Sequence, residues 1–189
     1  MAESVKNEKI KNENQLVEKA KDDEASFEIL YEHYFPKIYG FIFKRTGNKE
    51  ATEDLVSSTF MKVFCNLSGF SPKKGSFSSW IYTIANNNLI DYYRKQGRKK
   101  ESGMEGLENK PIESDSPEDE MQASYEATIV QKALGDLKEK YQRILHLKFY
   151  AELSNQEIAE VMGMSVNNSR VTIHRALKKF ALIHKKYEK

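Results

Sequence analysis

The sequence has one cysteine, Cys65, in 189 residues. A single cysteine makes no internal disulfide and no multi-cysteine zinc site, so a reducing setting is expected. The four histidines, His33, His146, His174 and His184, are scattered without ligand spacing, and no metal is expected. No apolar run approaches the roughly 20 residues that span a bilayer, and the polar start, rich in Lys, Glu and Asn, lacks the apolar core of a signal peptide. A cytoplasmic protein without stable membrane insertion is the expectation. Also missing are a glycine-rich phosphate loop, a nucleophile with a positioned base and a metal-ligand cluster, so nothing supports an enzyme or calls for a cofactor. Strand-like alternation never lasts beyond a few residues, whereas apolar residues recur at three and four, and the expected fold class is all-α.

Charged residues make up 31% and hydrophobic residues 39% of the chain, with 21 aromatics to anchor modest cores. The net charge of +2 conceals a division: residues 1–100 carry 17 basic and 13 acidic groups, 101–126 carry 1 and 9, and 127–189 carry 12 and 6. Two basic modules flanking an acidic stretch is the asymmetry of a nucleic-acid binder with local footprints. The interval 97–124 contains Gly97, Gly103, Gly106, Pro111, Pro117 and several serines at no helical period, and reads as a flexible acidic linker. Its relaxed span would be about 30 Å and its limit about 90 Å. The expected organisation is a polar tail, 1–23; a helical module, 24–96; the linker, 97–124; a second helical module, 125–184; and a basic tail, 185–189.

In the first module, Phe27, Leu30, Tyr31, Tyr34, Ile38 and Ile42 form one helical stripe, with Pro36 either kinking a helix or opening a second one. After the break at Gly47, Asn48 is placed to cap a helix that carries Glu50, Glu53 and Asp54 early and buries Val56, Phe60, Val63 and Leu67. A loop from Ser68 to Ser76 precedes a helix over about 77–95, with core residues Ile81, Ala85, Leu89 and Tyr92. On another face of it Trp80, Thr83, Asn87, Asp91 and Arg94 align, followed by Lys95 and further basic residues. An aromatic face beside amides and cations suits an unstacked nucleic-acid base. A half-buried tryptophan beside a solvated polar face gives the same pattern, and both readings stand here.

The second module starts near Tyr125 with Ile129, Ala133, Leu134 and Leu137 on one helix and Tyr141, Ile144, Leu145 and Phe149 on the next. Ser154-Asn155-Gln156-Glu157 is a capping box opening a short helix with Ile158, Val161 and Met162 inward. Ala159 permits a close crossing, Gly163 makes the turn, and Ser165 caps a new helix. These are the needs of a helix-turn-helix, whose second helix enters the major groove. That helix, about 166–180, is expected to bury Val166, Ile173, Ala176 and Phe180 and to present Asn167, Asn168, Arg170, Val171, His174 and Arg175, then Lys178 and Lys179. Amides and arginines suit base edges, and the later lysines suit phosphates. Ser169 falls on the inward stripe where an aliphatic residue is usual, implying a looser core or a rotated helix.

Taken in order, these motifs resemble the ECF-type (extracytoplasmic-function) sigma factors of bacterial RNA polymerase. The resemblance rests on Phe27-Glu28-Ile29-Leu30-Tyr31, Ala51 to Val56 with Thr59-Phe60, Phe77 to Tyr82 with Ile84-Ala85, Asn87 and Asp91, Leu153-Ser154, Glu157 to Glu160, Gly163-Met164-Ser165 and His174-Arg175-Ala176. It implies that Asp54, Leu55, Val56 and Phe60 dock on the clamp of core RNA polymerase, with a further contact to its flap. It implies that the helix with Trp80, Thr83, Asn86, Asn87, Arg94 and Lys95, and its preceding loop, opens and reads the −10 promoter element. Ser165, Asn167, Asn168, Arg170, Val171, His174 and Arg175 would read the −35 element, and family habit implies an anti-sigma partner. The family's frequent residues are replaced here by Ser57-Ser58, Thr83, Asn86, Ser169 and Thr172. The alternative is a stand-alone helix-turn-helix regulator that works without polymerase.

Overall fold

The computed structural model describes residues 12–101 and 119–188, with side chains described outside 98–101 and 119–125. Eight α-helices and two single 3-10 turns account for the regular structure among these residues, and no strand occurs there. The helices are α1 (Glu13–Lys19), α2 (Glu24–Thr46), α3 (Lys49–Asn66), α4 (Phe77–Glu101), α5 (Asp119–Gly135), α6 (Glu139–Phe149), α7 (Asn155–Met162) and α8 (Val166–Tyr187). The all-α expectation holds.

Local chemistry fixes most helix ends. Asp23 accepts the Ser26 N–H at 2.9 Å to start α2, and Asn48 accepts the Ala51 N–H at 2.8 Å to start α3. Between them Gly47 takes φ 58°, the left-handed conformation that ends a helix and that glycine adopts without steric cost. Pro36 lies inside α2, which continues past it as one helix to Thr46. The 3-10 turns Leu67–Gly69 and Pro72–Lys74 occupy the loop expected between α3 and α4.

Three departures from the sequence expectations concern extent and burial. The segment before residue 24 is not merely polar: α1 lies against α2 and α4, with Val17 fully buried and Ala20 nearly so. Both ends of the interval read as linker are helical, because α4 runs to Glu101 and α5 starts at Asp119; residues 102–118 lie outside the described residues. Phe149 and Val166, expected inside, are exposed.

Two cores of different character join into one. Phe41, Tyr34, Phe60, Phe70, Phe77 and Tyr82 fill the space among α1 to α4, with edge-on rings such as Phe41–Tyr82 at 5.3 Å and Phe70–Phe77 at 5.6 Å. Among α5 to α8 the buried apolar side chains are aliphatic, among them Ile144, Leu145, Leu147, Leu153, Ile158, Val161 and Ile173. The apolar cluster is continuous where α7 packs on α4.

Candidate nucleic-acid interface

The helix-turn-helix forms as its spacing requires. Ser154 Oγ accepts the Glu157 N–H at 3.2 Å while Glu157 Oε2 accepts the Ser154 N–H at 2.9 Å, a reciprocal cap on α7. Gly163 takes φ 62°, and its N–H bonds back to the end of α7. Ser165 Oγ then accepts the Asn168 N–H at 3.2 Å, starting α8. On α8 the residues Asn167, Asn168, Arg170, Val171, His174 and Arg175 are all exposed, and Lys178 and Lys179 continue the same outward side. This is a row of amides and cations carried by a rigid helix, able to meet base edges first and phosphates later.

Ser169 is fully buried. Its hydroxyl lies 2.9 Å from the Asn155 carbonyl, at the start of α7, and 2.8 Å from the Val166 carbonyl of its own helix. The position that an apolar stripe would fill is instead polar and satisfied, so the crossing of α7 and α8 is tied by a hydrogen bond as well as by Ile158 and Ile173.

The second candidate face lies on α4. Trp80 is half-buried, stacked obliquely on Phe70 at 5.1 Å and Phe77 at 5.7 Å, so its ring belongs in part to the aromatic core. Thr83 is half-buried and returns its hydroxyl to the Ser79 carbonyl. Asn87, Arg94 and Lys95 are exposed, and Arg94 pairs with Asp91 at 3.1 Å. Asn86 is not on that open face: it is 1% exposed, and its Oδ1 accepts from Arg143 Nε of α6 at 3.2 Å. Asn88, also buried, accepts from Lys62 and donates to Thr59 Oγ at 2.9 Å, a polar clamp between α3 and α4.

Positive charge gathers around Asn86. Arg45 lies over the Tyr93 ring at 5.7 Å, and the Tyr93 hydroxyl donates to the Arg45 carbonyl. Burial lowers the Arg45 and Arg143 pKa values from the ordinary guanidinium range, more than neighbouring charge does. Burial also pushes His146 down to about 4, assisted by Arg45 and Lys44 and opposed by its bond to the Gln142 carbonyl. Its ring is therefore neutral at pH 7, stacked on Tyr150 at 5.3 Å. Burial raises Tyr34 and Tyr82 well above the ordinary phenol range, so both stay protonated, and the Tyr34 hydroxyl donates to Glu13 Oε1.

The third face is apolar. Phe27, Tyr31, Phe35, Tyr39, Met61 and Phe64 line an open groove of about 450 Å³ between α2 and α3. Met61 and Phe64 are 63% and 59% exposed, a burden a monomer seldom carries without a partner. Of the residues expected to dock, Asp54 is exposed on this helix, Leu55 half-buried, and Val56 and Phe60 buried beneath the groove. The exposed members Tyr31, Met61 and Phe64, and the half-buried Phe35, were not read as a docking face from sequence. The available signal was Met61 and Phe64 falling one residue after the core positions Phe60 and Val63 on the same helix.

Among the described residues no group of His, Cys, Asp or Glu is arranged to hold a metal ion, and no helix is long and apolar enough to cross a membrane.

The described residues thus form a helical module with an open apolar groove and a mixed aromatic-amide helix, followed by a helix-turn-helix. Residues 30–99 match the sigma-70 region 2 family and residues 127–180 match sigma-70 region 4. The RNA polymerase sigma factor YlaC of Bacillus subtilis is 34% identical over 154 residues, covering 80% of this chain and 87% of that protein. The ECF RNA polymerase sigma factor SigW of the same organism is 31% identical, covering 82% and 87%. The chain belongs to the ECF sigma factors, which direct promoter-specific initiation of transcription. The fold agrees with the solved structure of CnrH in complex with the cytosolic domain of CnrY, at TM-score 0.70 and 20% identity over 92% of this chain and 97% of that one. It agrees equally with the sigma factor RpoE bound to the anti-sigma factor NepR from Bartonella quintana, at TM-score 0.69 and 21% identity over 84% and 96%.

Proposed function

We propose that the chain binds core RNA polymerase through α3 and the α2–α3 groove, reads the −35 element as duplex with α8, and opens and reads the −10 element with α4 and its preceding loop. The working units are then residues 24–96 and 125–184, joined by the acidic stretch. The observation that carries the reading is the outward row on α8, in which Asn167, Asn168, Arg170, Val171, His174 and Arg175 are all exposed on a correctly capped helix. In the α4 reading, Asn87, Arg94 and Lys95 meet the strand directly, and Trp80 positions the helix from the aromatic core. Each reader alone is small, and holding both on one large enzyme raises their effective concentration. The protein acts as a specificity subunit in the cytoplasm and has no catalysis of its own.

In the related solved structures CnrH is in complex with the cytosolic domain of CnrY, and RpoE with the anti-sigma factor NepR. An anti-sigma factor covering the exposed groove is the partner that fits this chain by analogy.

The test is run-off transcription by purified core polymerase on a promoter library, with and without the protein. New start sites sharing two spaced elements are expected only when the protein is present. Specific duplex binding by the free protein, with no association with polymerase, would instead identify a stand-alone regulator. Phe64→Asp, at an exposed position, is expected to weaken polymerase binding at least tenfold while leaving the melting temperature nearly unchanged, because a desolvated charge is costly only in the docked state.

A further inference from the structure

One polar residue stands on the apolar stripe of α4. Ile81, Ala85 and Leu89 are buried along it, and Asn88, seven residues after Ile81 and only 4% exposed, takes a place that helical period would give to an aliphatic side chain. Its amide is bonded at both ends to α3: Oδ1 accepts from Lys62 Nζ, and Nδ2 donates to Thr59 Oγ1 at 2.9 Å. Thr59 is fully buried, and its hydroxyl donates in turn to the Leu55 carbonyl at 2.7 Å. Thr59 and Lys62, three residues apart, share one face of α3, so the amide is held between two successive turns of that helix.

We propose that Asn88 is a positioning residue, whose amide registers the helix that reads the promoter strand against the helix that docks on polymerase. The inference rests on the reading in which α3 docks and α4 takes the −10 strand.

Aliphatic ridges alone fix a helix pair loosely. Advancing α4 by one residue moves it about 1.5 Å along its axis and turns it by about 100°, and apolar surfaces meet apolar surfaces in more than one such arrangement. A buried amide discriminates among them, because its bonds are directional and every other register leaves its donor unpaired away from water. A single buried asparagine selects the register of packed helices in the same way, at some expense of stability.

The two helices so registered carry the two working faces. On α3, Met61 and Phe64 stand exposed in the groove on either side of Lys62 along the chain, and the bonded series ends at the carbonyl of Leu55, one of the docking residues. On α4, Asn87 is the exposed residue just before Asn88, and Arg94 and Lys95 follow about two turns later. The amide therefore sets how far the strand-binding side chains stand from the docking ones, and with that the base pair at which polymerase begins to part the duplex.

This role separates from folding. Asn88→Leu combined with Thr59→Val replaces both buried partners by aliphatic groups of similar size and leaves no buried donor unpaired, a change that stability tolerates. Lys62 is exposed and turns to water. Were the amide needed for folding alone, a stable double variant would open promoters fully; a register role leaves it stable and poor at opening.

The experiment compares the full-length parent, the Asn88→Leu/Thr59→Val double variant and Lys62→Met. Urea unfolding, affinity for core polymerase and permanganate mapping of opened promoter by the holoenzyme are measured on each. A parallel set carries spin labels on Cys65 of α3 and Lys95→Cys of α4, both exposed, for distance distributions without polymerase. In the double variant the urea midpoint is expected to equal or exceed that of the parent, with core affinity unchanged. Its distance distribution is expected to broaden, and the fraction of promoter opened to fall about tenfold, with the edge of the opened segment spread over neighbouring base pairs. Lys62→Met removes only the outer bond at an exposed position, and is expected to give the same changes at about threefold. Narrow distances with full opening in both variants overturn the proposal, and broad distances with full opening overturn the role in initiation. Matched losses of core affinity and opening would place Asn88 with the docking surface instead. If the double variant does not fold, Lys62→Met decides by the same criteria. Failure of the initiation reading shows separately, as a parent that opens no promoter with core polymerase.

Discussion

The N-terminal module is held together by rings and the C-terminal module by aliphatic side chains and helix caps. In the first, Tyr34, Phe41, Phe70, Phe77 and Tyr82 interlock, and the aromatic supply overflows into an open groove at Phe27, Tyr31, Phe35 and Phe64. In the second, no Phe, Tyr or Trp is buried among the described residues, and the placement of α8 depends on Ser154, Gly163, Ser165 and Ser169. Large rings give a small module area for both a core and an open apolar face, while short capped helices give accurate placement of one outward row.

The largest test of this contrast is Phe77→Ala. Its ring touches those of Tyr34, Phe70 and Trp80 and is 1% exposed, so its loss is expected to cost about 3–5 kcal/mol. Urea unfolding followed by fluorescence of Trp80, the chain's single tryptophan, reads the N-terminal module directly. A much smaller loss would mean that the ring core repacks as loosely as an aliphatic one.

His146 gives the second test, on the C-terminal side of the contact between the modules. Its folded pKa is depressed from the usual 6.5 to about 4, so between those values the unfolded chain takes a proton that the folded chain refuses. Stability is complete above about pH 6.5 and declines as pH falls toward 4, by on the order of 3 kcal/mol. His146→Gln is expected to flatten that slope in pH-dependent urea melts. An unchanged slope would move the titration to other groups.

Arg170→Ala follows, with an expected loss of about 1–3 kcal/mol in promoter binding by the holoenzyme and relaxed preference at one upstream base pair. A loss uniform over all sequences would assign Arg170 to phosphate. The smallest effect belongs to Ser165→Ala, which removes the cap accepting the Asn168 N–H and is expected to lower thermal stability by about 1 kcal/mol.

Features governed by neighbours in the chain were legible from sequence. Asn48, Ser154-Glu157, Gly163 and Ser165 perform the capping and turning that their spacing announces, because a cap needs only the next three residues. Burial set by distant partners was less legible. Val17 looks like an isolated apolar residue in a polar segment, yet α1 folds back to bury it against α2 and α4. Val166 and Phe149 follow the helical period yet are exposed, while Asn86, which the resemblance would place toward DNA, is covered by Arg143 from another module. The groove was half-legible: the stripe with Phe60 was read as core and docking face together, and only the fold separates buried Phe60 from exposed Phe64.

Ser169 carries a consequence for how this sigma factor can diverge. A hydroxyl fastened to the Asn155 carbonyl acts as a strut of fixed length, whereas a greasy contact can slide and resettle. With the tilt of α8 pinned in that way, its outward row can be exchanged residue by residue while the helix keeps its place against α7.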